Sequence, residues 1–445
     1  MNSMTLYQKT PPLKLFFIIA VPGIISMLIA SLWGLLEGIM VAQYIGKTAF
    51  AAVNIGLPIV FINFCLADLI GVGSSVPISI LLGKQDEKRA NNYFTCACIM
   101  IFLTGLFMGI FLFFTSPILV KFMGASGELA EMAVYYIRVY AVCSPFTTIT
   151  FALDNYLRIC EKIKSSLFVN IAMTIIIAAL LFLFLPILGY GIGGAAFAVS
   201  LGMGICAAAA IIPFALRKLQ LKFCRPQFSL QIVKQIVSSG SPIFLSNVAS
   251  RLTTVLMNIV LLKTGGAAAV SVYGVLIYTG EVIQPILYGA CDSLQPAISC
   301  NYGAGNIKRM RAIGTCGFIS TAVVSITGAL FIYFFSDLIA PLFLHNSDPA
   351  LLSLCRHALE LFSITYLSRW FGFAVQSFLI AIDNPLLATI LSVTNAFLFP
   401  IIFLIVLYPL GLDGLWLNVP VTSLSVTILA GIILYNFKKK LFIGR

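Results

Sequence analysis

The amino-acid sequence predicts an all-α polytopic membrane protein with twelve transmembrane helices, arranged as two parallel six-helix repeats. Three observations lead to this prediction. Of 445 residues, 60% are hydrophobic and only 9% are charged, whereas about 25% of the residues in a typical soluble domain are charged. Apolar segments long enough to cross a bilayer follow one another along the whole chain. The two halves of the sequence also match each other when one is shifted by 220 positions.

The apolar segments occupy the ranges 13–44, 50–82, 91–117, 128–157, 164–187, 190–216, 231–262, 267–301, 310–335, 349–381, 386–409 and 413–437. Several exceed the roughly 20 residues that span a bilayer, so these helices are expected to tilt, kink or extend beyond the membrane. Prolines such as Pro22 and Pro242 remove an intrahelical hydrogen bond and mark expected kinks. No cleavable signal peptide is expected, because the apolar run that begins at Leu13 is too long and no small-x-small cleavage site follows it.

The net charge of +12 reflects membrane topology, so no nucleic-acid partner is expected. Twenty of the 27 lysines and arginines lie in alternate connections beginning with the N-terminus, including Lys438, Lys439, Lys440 and Arg445 at the other end. The opposite connections hold Lys47, Lys121, Lys263 and Arg356. Because basic residues concentrate on the cytoplasmic side, both termini are predicted to be cytoplasmic and the protein to be multi-pass in the cell membrane.

The internal repeat defines the predicted domains. At an offset of 220, Pro22 matches Pro242 and Gly46 matches Gly266. The same offset places ISILLGKQDEKR, at the end of segment 2, on ISCNYGAGNIKR, at the end of segment 8. Each copy has an even number of spans, so both copies enter the membrane from the same side. We predict an N-terminal six-helix lobe (1–216), a cytoplasmic linker (217–230) and a C-terminal six-helix lobe (231–445).

The first apolar segment carries a single acid, Glu37, within SMLIASLWGLLEGIMVAQYIG. Small residues recur every four positions beside it, at Ser26, Ala30, Gly34, Gly38 and Ala42. Such a stripe allows close helix contact in lipid, so Glu37 is expected to face other helices. A carboxyl group in that setting is either a structural acid with a buried partner or a titrating acid in a transport cavity. The second interpretation is favoured, because acids inside membranes commonly mark ion or substrate pathways.

Segment 8 carries an unusual number of polar side chains for a membrane span. One helical face holds Glu281, Gln284, Tyr288, Asp292 and Gln295. Arg251 in segment 7 is a candidate partner for Glu281 or Asp292. Two interpretations stay open: a buried ion pair that locks the C-terminal lobe, or a cation-attracting wall of a substrate cavity.

Three further residues of the first two segments are candidates. Asp68 in segment 2 is a second ion-coupling candidate, expected near Glu37. Trp33 and Tyr44 fit cavity lining and interface anchoring equally well. The eleven cysteines show no metal-binding spacing and are interpreted as small buried hydrophobes. His345 and His357 are not expected to form a metal site either.

Several stretches resemble the multidrug and toxic compound extrusion (MATE) transporters, over essentially the whole chain. They are LWGLLEGIMVAQYIG ending segment 1, IGVGSSVPISILLGKQDEKRANNYF closing segment 2, SLQPAISCNYGAGNIKRMR closing segment 8, LDNYLRICEK closing segment 4, and LGYGIGGAAFA and LGLDGLWLNVP opening segments 6 and 12. The resemblance implies two six-helix lobes around a V-shaped cavity. It also implies export of amphipathic, often cationic compounds in exchange for protons or sodium.

Within that resemblance, Glu37 stands where the family carries a coupling acid, commonly aspartate. The sequence also departs from the family. The acid that many members carry in segment 5 is missing from ALLFLFLPILG. The sodium-using branch has acids in segments 7 and 10, where this chain has Arg251 in the first and Glu360 with Arg369 in the second.

The sequence thus favours a secondary active multidrug efflux transporter that works by rocking-type alternating access. It is expected to be a monomer without a cofactor, driven by a proton or sodium gradient, and not an enzyme. No Walker A sequence of the form GxxxxGK[ST] occurs, which argues against ATP drive within this chain. The alternative is a flippase for a lipid-linked precursor on a related fold, which Arg138, Arg251 and Arg369 leave open.

Overall fold

The computed structural model describes residues 5–344 and 348–443, with side chains described at 6–344 and 348–436. His345 and the basic residues Lys438, Lys439, Lys440 and Arg445 lie outside the described side chains. Helices make up 90% of the protein, and no β-strand occurs among the residues just defined. The predicted all-α class is confirmed.

Seven helices form the first half of the chain. They are α1 (Thr5–Lys9), α2 (Pro12–Tyr44), α3 (Lys47–Gly83), α4 (Glu87–Phe122), α5 (Gly127–Ile159), α6 (Ile163–Phe182) and α7 (Gly191–Ala215). A π-helical turn, Leu183–Ile187, prolongs α6 and contains Pro186. The six predicted segments of this half fall on α2 to α7.

Nine helices occur in the described part of the second half, 230–344 and 348–443, because kinks divide several spans. They are α8 (Leu230–Asp292), α9 (Gln295–Gly303), α10 (Ile307–Phe334), α11 (Ser336–Phe343), α12 (Pro349–Ser363), α13 (Thr365–Ala381), α14 (Pro385–Val393), α15 (Phe399–Leu407) and α16 (Gly411–Ile443). A π-helical turn, Thr394–Leu398, joins α14 to α15, and a 3₁₀ turn, Tyr408–Leu410, precedes α16.

Eight helical stretches of the described chain are long and apolar enough to cross a membrane. Two of them, Leu230–Gly303 and Pro385–Asn436, each cover two predicted segments. The eight stretches therefore include ten of the twelve segments. The remaining two segments, 128–157 and 349–381, form α5 and the α12–α13 pair.

Gly46 and Gly266 break the chain at matching places in the two repeats. Gly46 lies between α2 and α3 with φ 112° and ψ −179°. Gly266 interrupts α8 with φ 66° and ψ −159°. Only glycine adopts these backbone angles without strain. The sequence match between the two glycines therefore corresponds to a shared break between the first and second span of each repeat.

The protein divides into two compact units. The N-terminal unit comprises Met1–Pro11, Ile25–Gly240 and Ser299–Ile307, and the C-terminal unit comprises Pro12–Ile24, Ser241–Ile298 and Lys308–Arg445. Short stretches at the start of α2, the start of α8 and the end of α9 thus belong to the unit formed mainly by the other half of the sequence.

In the N-terminal unit, α5 is the central helix and packs against α3, α4 and α7. One end of α5 is held by a buried ion pair in which an Arg158 amino group lies 2.8 Å from an Asp154 carboxylate oxygen. Asp154 also accepts hydrogen bonds from Ser166 (2.5 Å) and Asn170 (2.9 Å) on α6. The hydroxyl of Tyr7 in α1 donates to the Arg158 carbonyl oxygen. This polar group ties three helices together.

In the C-terminal unit, α16 packs against α12, α13 and α15 around Trp416, which is 1% exposed.

In the N-terminal unit, one face of α4 is apolar and exposed. Phe107, Phe114 and Ile118 on this face are 66%, 72% and 70% exposed. Such a surface is expected where a helix meets lipid.

Seven of the eleven cysteines are buried, but Cys224 is exposed. The interpretation of all the cysteines as buried was therefore wrong for Cys224, which lies in the non-helical connection between α7 and α8.

Candidate functional site

Glu37 lies at the core of the N-terminal unit with an exposed fraction of 0%. Its carboxylate accepts a 2.9 Å hydrogen bond from the Tyr136 hydroxyl. The Tyr140 hydroxyl lies 3.3 and 3.5 Å from the two carboxylate oxygens. Both tyrosines are on α5, four residues apart, so their side chains occupy one face of that helix. No lysine, arginine or histidine among the described side chains forms an ion pair with Glu37.

The buried face of α2 runs through Trp33, Glu37 and Val41, which are 6%, 0% and 0% exposed. The stripe of small residues predicted to make close contacts lies beside this face. A Cβ atom at Gly34 would have no neighbour within 4 Å, and Ala42 is exposed. The expectation that Glu37 faces other helices is confirmed. The face of α2 that carries Trp33, Glu37 and Val41 makes this contact.

The other predicted residues of this unit occupy different surroundings. Trp33 belongs to the apolar core, whereas Tyr44, the last residue of α2, is half exposed. Asp68 lies in the middle of α3 and is partly buried. Its carboxylate makes no hydrogen bond or ion pair with the described residues.

The C-terminal unit contains a cavity of about 400 Å³, which is within the usual size range of small-molecule sites. Four predicted residues line it: Arg251, Glu281, Gln284 and Tyr288. Gln284 donates a hydrogen bond to the Tyr288 hydroxyl. Arg251 and Glu281 both line this cavity, so charges of both signs are present in its wall.

A smaller space of about 40 Å³ adjoins the cavity. Six residues line both spaces, and all six are polar: Ser246, Gln284, Tyr288, Arg369, Asn395 and Ser423. Arg369, on α13, therefore stands at the junction. It forms no ion pair with a described acid.

Asp292 and Gln295 lie apart from these lining residues. The Gln295 amide donates to Asp292 (2.8 Å) and to the Ser377 hydroxyl (3.0 Å), and Ser377 donates to Asp292 (2.7 Å). These contacts connect the end of α8 and the start of α9 to α13. The single polar face predicted for segment 8 is thus divided between a cavity wall and a helix contact, because α8 ends at Asp292 and α9 begins at Gln295.

Sequence reasoning missed several residues at these places. Tyr136 and Tyr140 were not identified, although their spacing of four in a charged span was a usable signal. Arg369 was considered only as a charge in segment 10 that leaves a flippase function open, and not as a cavity residue. Tyr366 and Thr422 line the cavity with buried hydroxyl groups that have no hydrogen-bond partner among the described residues. Nothing in the local sequence distinguishes these hydroxyl groups from others in the core.

The chain matches known proteins over nearly its full length. The MatE family model matches residues 22–185 and 242–406, and the two matches begin 220 residues apart, as the repeat does. The multidrug export protein MepA of Staphylococcus aureus is 23% identical over 98% of this chain and 96% of that protein. MepA of Staphylococcus haemolyticus is 24% identical over 95% and 94%.

Solved structures share the fold. A MOP superfamily transporter from Pyrococcus furiosus, for which a reversed polarity of the binding pocket suggests a different function, has a TM-score of 0.92 at 22% identity, with 99% of each chain covered. An outward-facing multidrug resistance MATE transporter has a TM-score of 0.91 at 22% identity, also with 99% of each chain covered. Since the family model matches most of the chain in both repeats, this protein belongs to the MatE family of multidrug efflux transporters, whose members are not enzymes.

Proposed function

We propose that this protein is a secondary active exporter that exchanges amphipathic or cationic compounds for protons, by rocking-type alternating access of lobes 1–216 and 231–445. The observation that carries the proposal is the position of Glu37, a fully buried acid held by the hydroxyl groups of Tyr136 and Tyr140. The substrate class is supported by the MepA relatives, which are multidrug export proteins.

The surroundings of Glu37 suit an acid that gains and loses a proton. Burial disfavours the charged form of a carboxyl group, whereas hydrogen bonds donated to the group favour that form. Here both effects act, and no lysine, arginine or histidine with a described side chain forms an ion pair that would fix the charge. A proton that binds Glu37 removes the negative charge that attracts a cationic substrate, so proton and substrate compete for one acid.

Asp68 is a second candidate for ion coupling. It is the other acid in the first two spans, and no described residue neutralises or hydrogen-bonds it. An acid without such a partner is costly inside a membrane and commonly serves a transport pathway. We assign it a secondary role, because nothing in its surroundings holds the carboxylate in place as the two tyrosines hold Glu37.

Efflux of a fluorescent cationic dye from oriented vesicles, under an imposed proton or sodium gradient, tests the proposal. Wild-type protein should export dye with the proton gradient, and Glu37→Gln should abolish this export while still inserting. Asp68→Asn should reduce it. Glu128→Gln, which removes an exposed acid at the start of α5, is the matched control and should export normally. Proton-driven efflux at the wild-type rate by Glu37→Gln would refute the assignment of Glu37 as the coupling acid. Efflux by the wild-type protein under a sodium gradient alone would refute the proton as the coupling ion.

The alternative function is a flippase for a lipid-linked precursor. It is supported by Arg251 and Arg369 in the wall of the C-terminal cavity, since arginine suits phosphate groups. In this case the vesicles would show no dye efflux under either gradient. Reconstituted protein would instead move a fluorescent phosphate-bearing lipid between leaflets.

We also propose that the protein is a monomer in the plasma membrane. Both of its termini lie in the cytoplasm. The support for this orientation is the distribution of lysines and arginines between alternate connections. Single cysteines introduced at Lys88 and Lys121, in an otherwise cysteine-free background, test the orientation. In intact cells, a membrane-impermeant maleimide should label the Lys121 site and not the Lys88 site. The reverse labelling would contradict the topology.

A further inference from the structure

The wall shared by the two adjoining spaces in the C-terminal unit is polar, whereas apolar side chains line part of the larger space. The wall they share is made of six polar side chains, as described above. The residues that line only the larger space include Met257, Leu276, Ile277, Phe362 and Val419. The smaller space, of about 40 Å³, has room for only a few water molecules. A ligand that fills this site would place a small polar group at the junction and an apolar body in the larger space.

The charge at the junction is positive. Arg369 is the charged residue that lines both spaces, and no acid lines the smaller one. Arg251 and Glu281, which carry opposite charges, line only the larger space. A guanidinium group binds carboxylate and phosphate through parallel hydrogen bonds. The junction therefore suits an anionic group and disfavours a cationic one.

Two buried hydroxyl groups point to the same conclusion. Tyr366 and Thr422 are 0% and 4% exposed and line the larger space. Neither hydroxyl has a hydrogen-bond partner among the described residues. A buried polar group without a partner is unfavourable by about 1–3 kcal/mol, so such groups usually serve a water molecule or a ligand. A bound anion with several acceptor oxygens would satisfy both hydroxyls.

We propose that the cavity of the C-terminal unit binds an amphiphile with an anionic head group. Arg369 holds the head group, and the hydroxyls of Tyr366 and Thr422 donate further hydrogen bonds. The apolar body lies along Leu276, Phe362 and neighbouring side chains. This site concerns α8, α12, α13 and α16 of one unit, and it goes beyond the proposed function because it does not depend on proton coupling at Glu37.

Isothermal titration of the purified full-length protein in neutral detergent tests the site, with empty micelles as the blank. The probe is dodecyl phosphate, compared with dodecyltrimethylammonium, which has the same chain and the opposite charge. Wild-type protein should bind dodecyl phosphate saturably at one site, at least tenfold more tightly than the ammonium probe. Arg369→Gln should weaken binding at least tenfold, whereas Arg369→Lys should retain most of it. Tyr366→Phe and Thr422→Val should each weaken it about threefold without lowering the thermal stability of the unliganded protein.

Two controls separate this proposal from others. Arg356→Gln removes an exposed arginine of the same unit that pairs with Asp337 and Glu360, and it should bind dodecyl phosphate normally. Glu37→Gln should also bind normally, so a failure of proton coupling leaves this result unaffected. Displacement by phosphatidic acid would identify a lipid as the source of the head group. Three outcomes would overturn the proposal. They are no saturable binding of dodecyl phosphate, wild-type affinity for it in Arg369→Gln, and displacement of it by inorganic phosphate as effectively as by phosphatidic acid.

Discussion

The hydroxyl group of Tyr136 donates a 2.9 Å hydrogen bond to Oε1 of Glu37, across the contact between α5 and α2. This bond and the one from Tyr140 are the only hydrogen bonds to the Glu37 carboxylate among the described residues. The central helix of the N-terminal unit thus positions the acid that sequence reasoning placed at the centre of the transport mechanism. The relationship makes α5 part of the candidate coupling site.

Removal of this hydrogen bond should be measurable as a coupling energy. Tyr136→Phe leaves a buried carboxyl group with one donor fewer and should lower the free energy of unfolding by about 1–3 kcal/mol. In a Glu37→Leu background the same change should have a smaller effect, because the acceptor is gone. A double-mutant cycle, measured by denaturation in mixed micelles, should give a coupling of about 1 kcal/mol. Strictly additive effects would show that the two groups do not interact.

The buried ion pair between Asp154 and Arg158 should be costly to break on one side. Arg158→Met leaves Asp154, whose side chain is only 17% exposed, without its charge partner and should destabilise the protein by about 3 kcal/mol. The double variant Arg158→Met with Asp154→Leu should recover much of this loss, because no unpaired charge remains. Arg356→Met, at an exposed ion pair, is the control and should leave the unfolding free energy nearly unchanged. Equal losses in the single and double variants would contradict this interpretation.

Close helix contact in the N-terminal unit depends on Gly240. A Cβ atom at this position would overlap the Leu69 carbonyl oxygen, and one at Gly73 would overlap that of Ile236. Gly240→Ala should therefore force α3 and α8 apart and destabilise the protein by about 1–3 kcal/mol. Gly34→Ala is the matched control, since nothing lies within 4 Å of its Cβ position. At Gly34, alanine should stabilise the helix by up to about 1 kcal/mol. Thermal unfolding should therefore show a lower unfolding temperature for Gly240→Ala and a higher one for Gly34→Ala.

Much of the fold was predictable because it is recorded in local patterns. Apolar length predicted ten of the twelve segments as stretches able to cross a membrane, since a bilayer requires about 20 apolar residues whatever the helix contacts. The repeat paired Gly46 with Gly266, and both have backbone angles that select glycine. Glu37 stood out because one acid in a long apolar segment is energetically unusual.

The site was less predictable, because residues distant in sequence form it. The stripe of small residues on α2 indicated a tight contact that is open at Gly34. The polar face of segment 8 predicted one wall, but Asp292 and Gln295 bond to Ser377 instead. A periodic pattern identifies the residues that share a face of one helix. It does not identify the helix that the face meets.

The sequence by itself determined the membrane class, the positions of the apolar segments, the two-fold repeat and the choice of Glu37 as the candidate coupling acid. Each follows from a local property: hydropathy, charge, backbone conformation, or the cost of a buried carboxyl group. The tertiary structure alone decided that Tyr136 and Tyr140 bind Glu37, and that Arg369, Tyr366 and Thr422 meet at one cavity. Those choices depend on how α5 packs on α2 and how α13 and α16 pack on α8. Helix packing joins positions far apart in the chain, and it sets the distances on which hydrogen bonding depends.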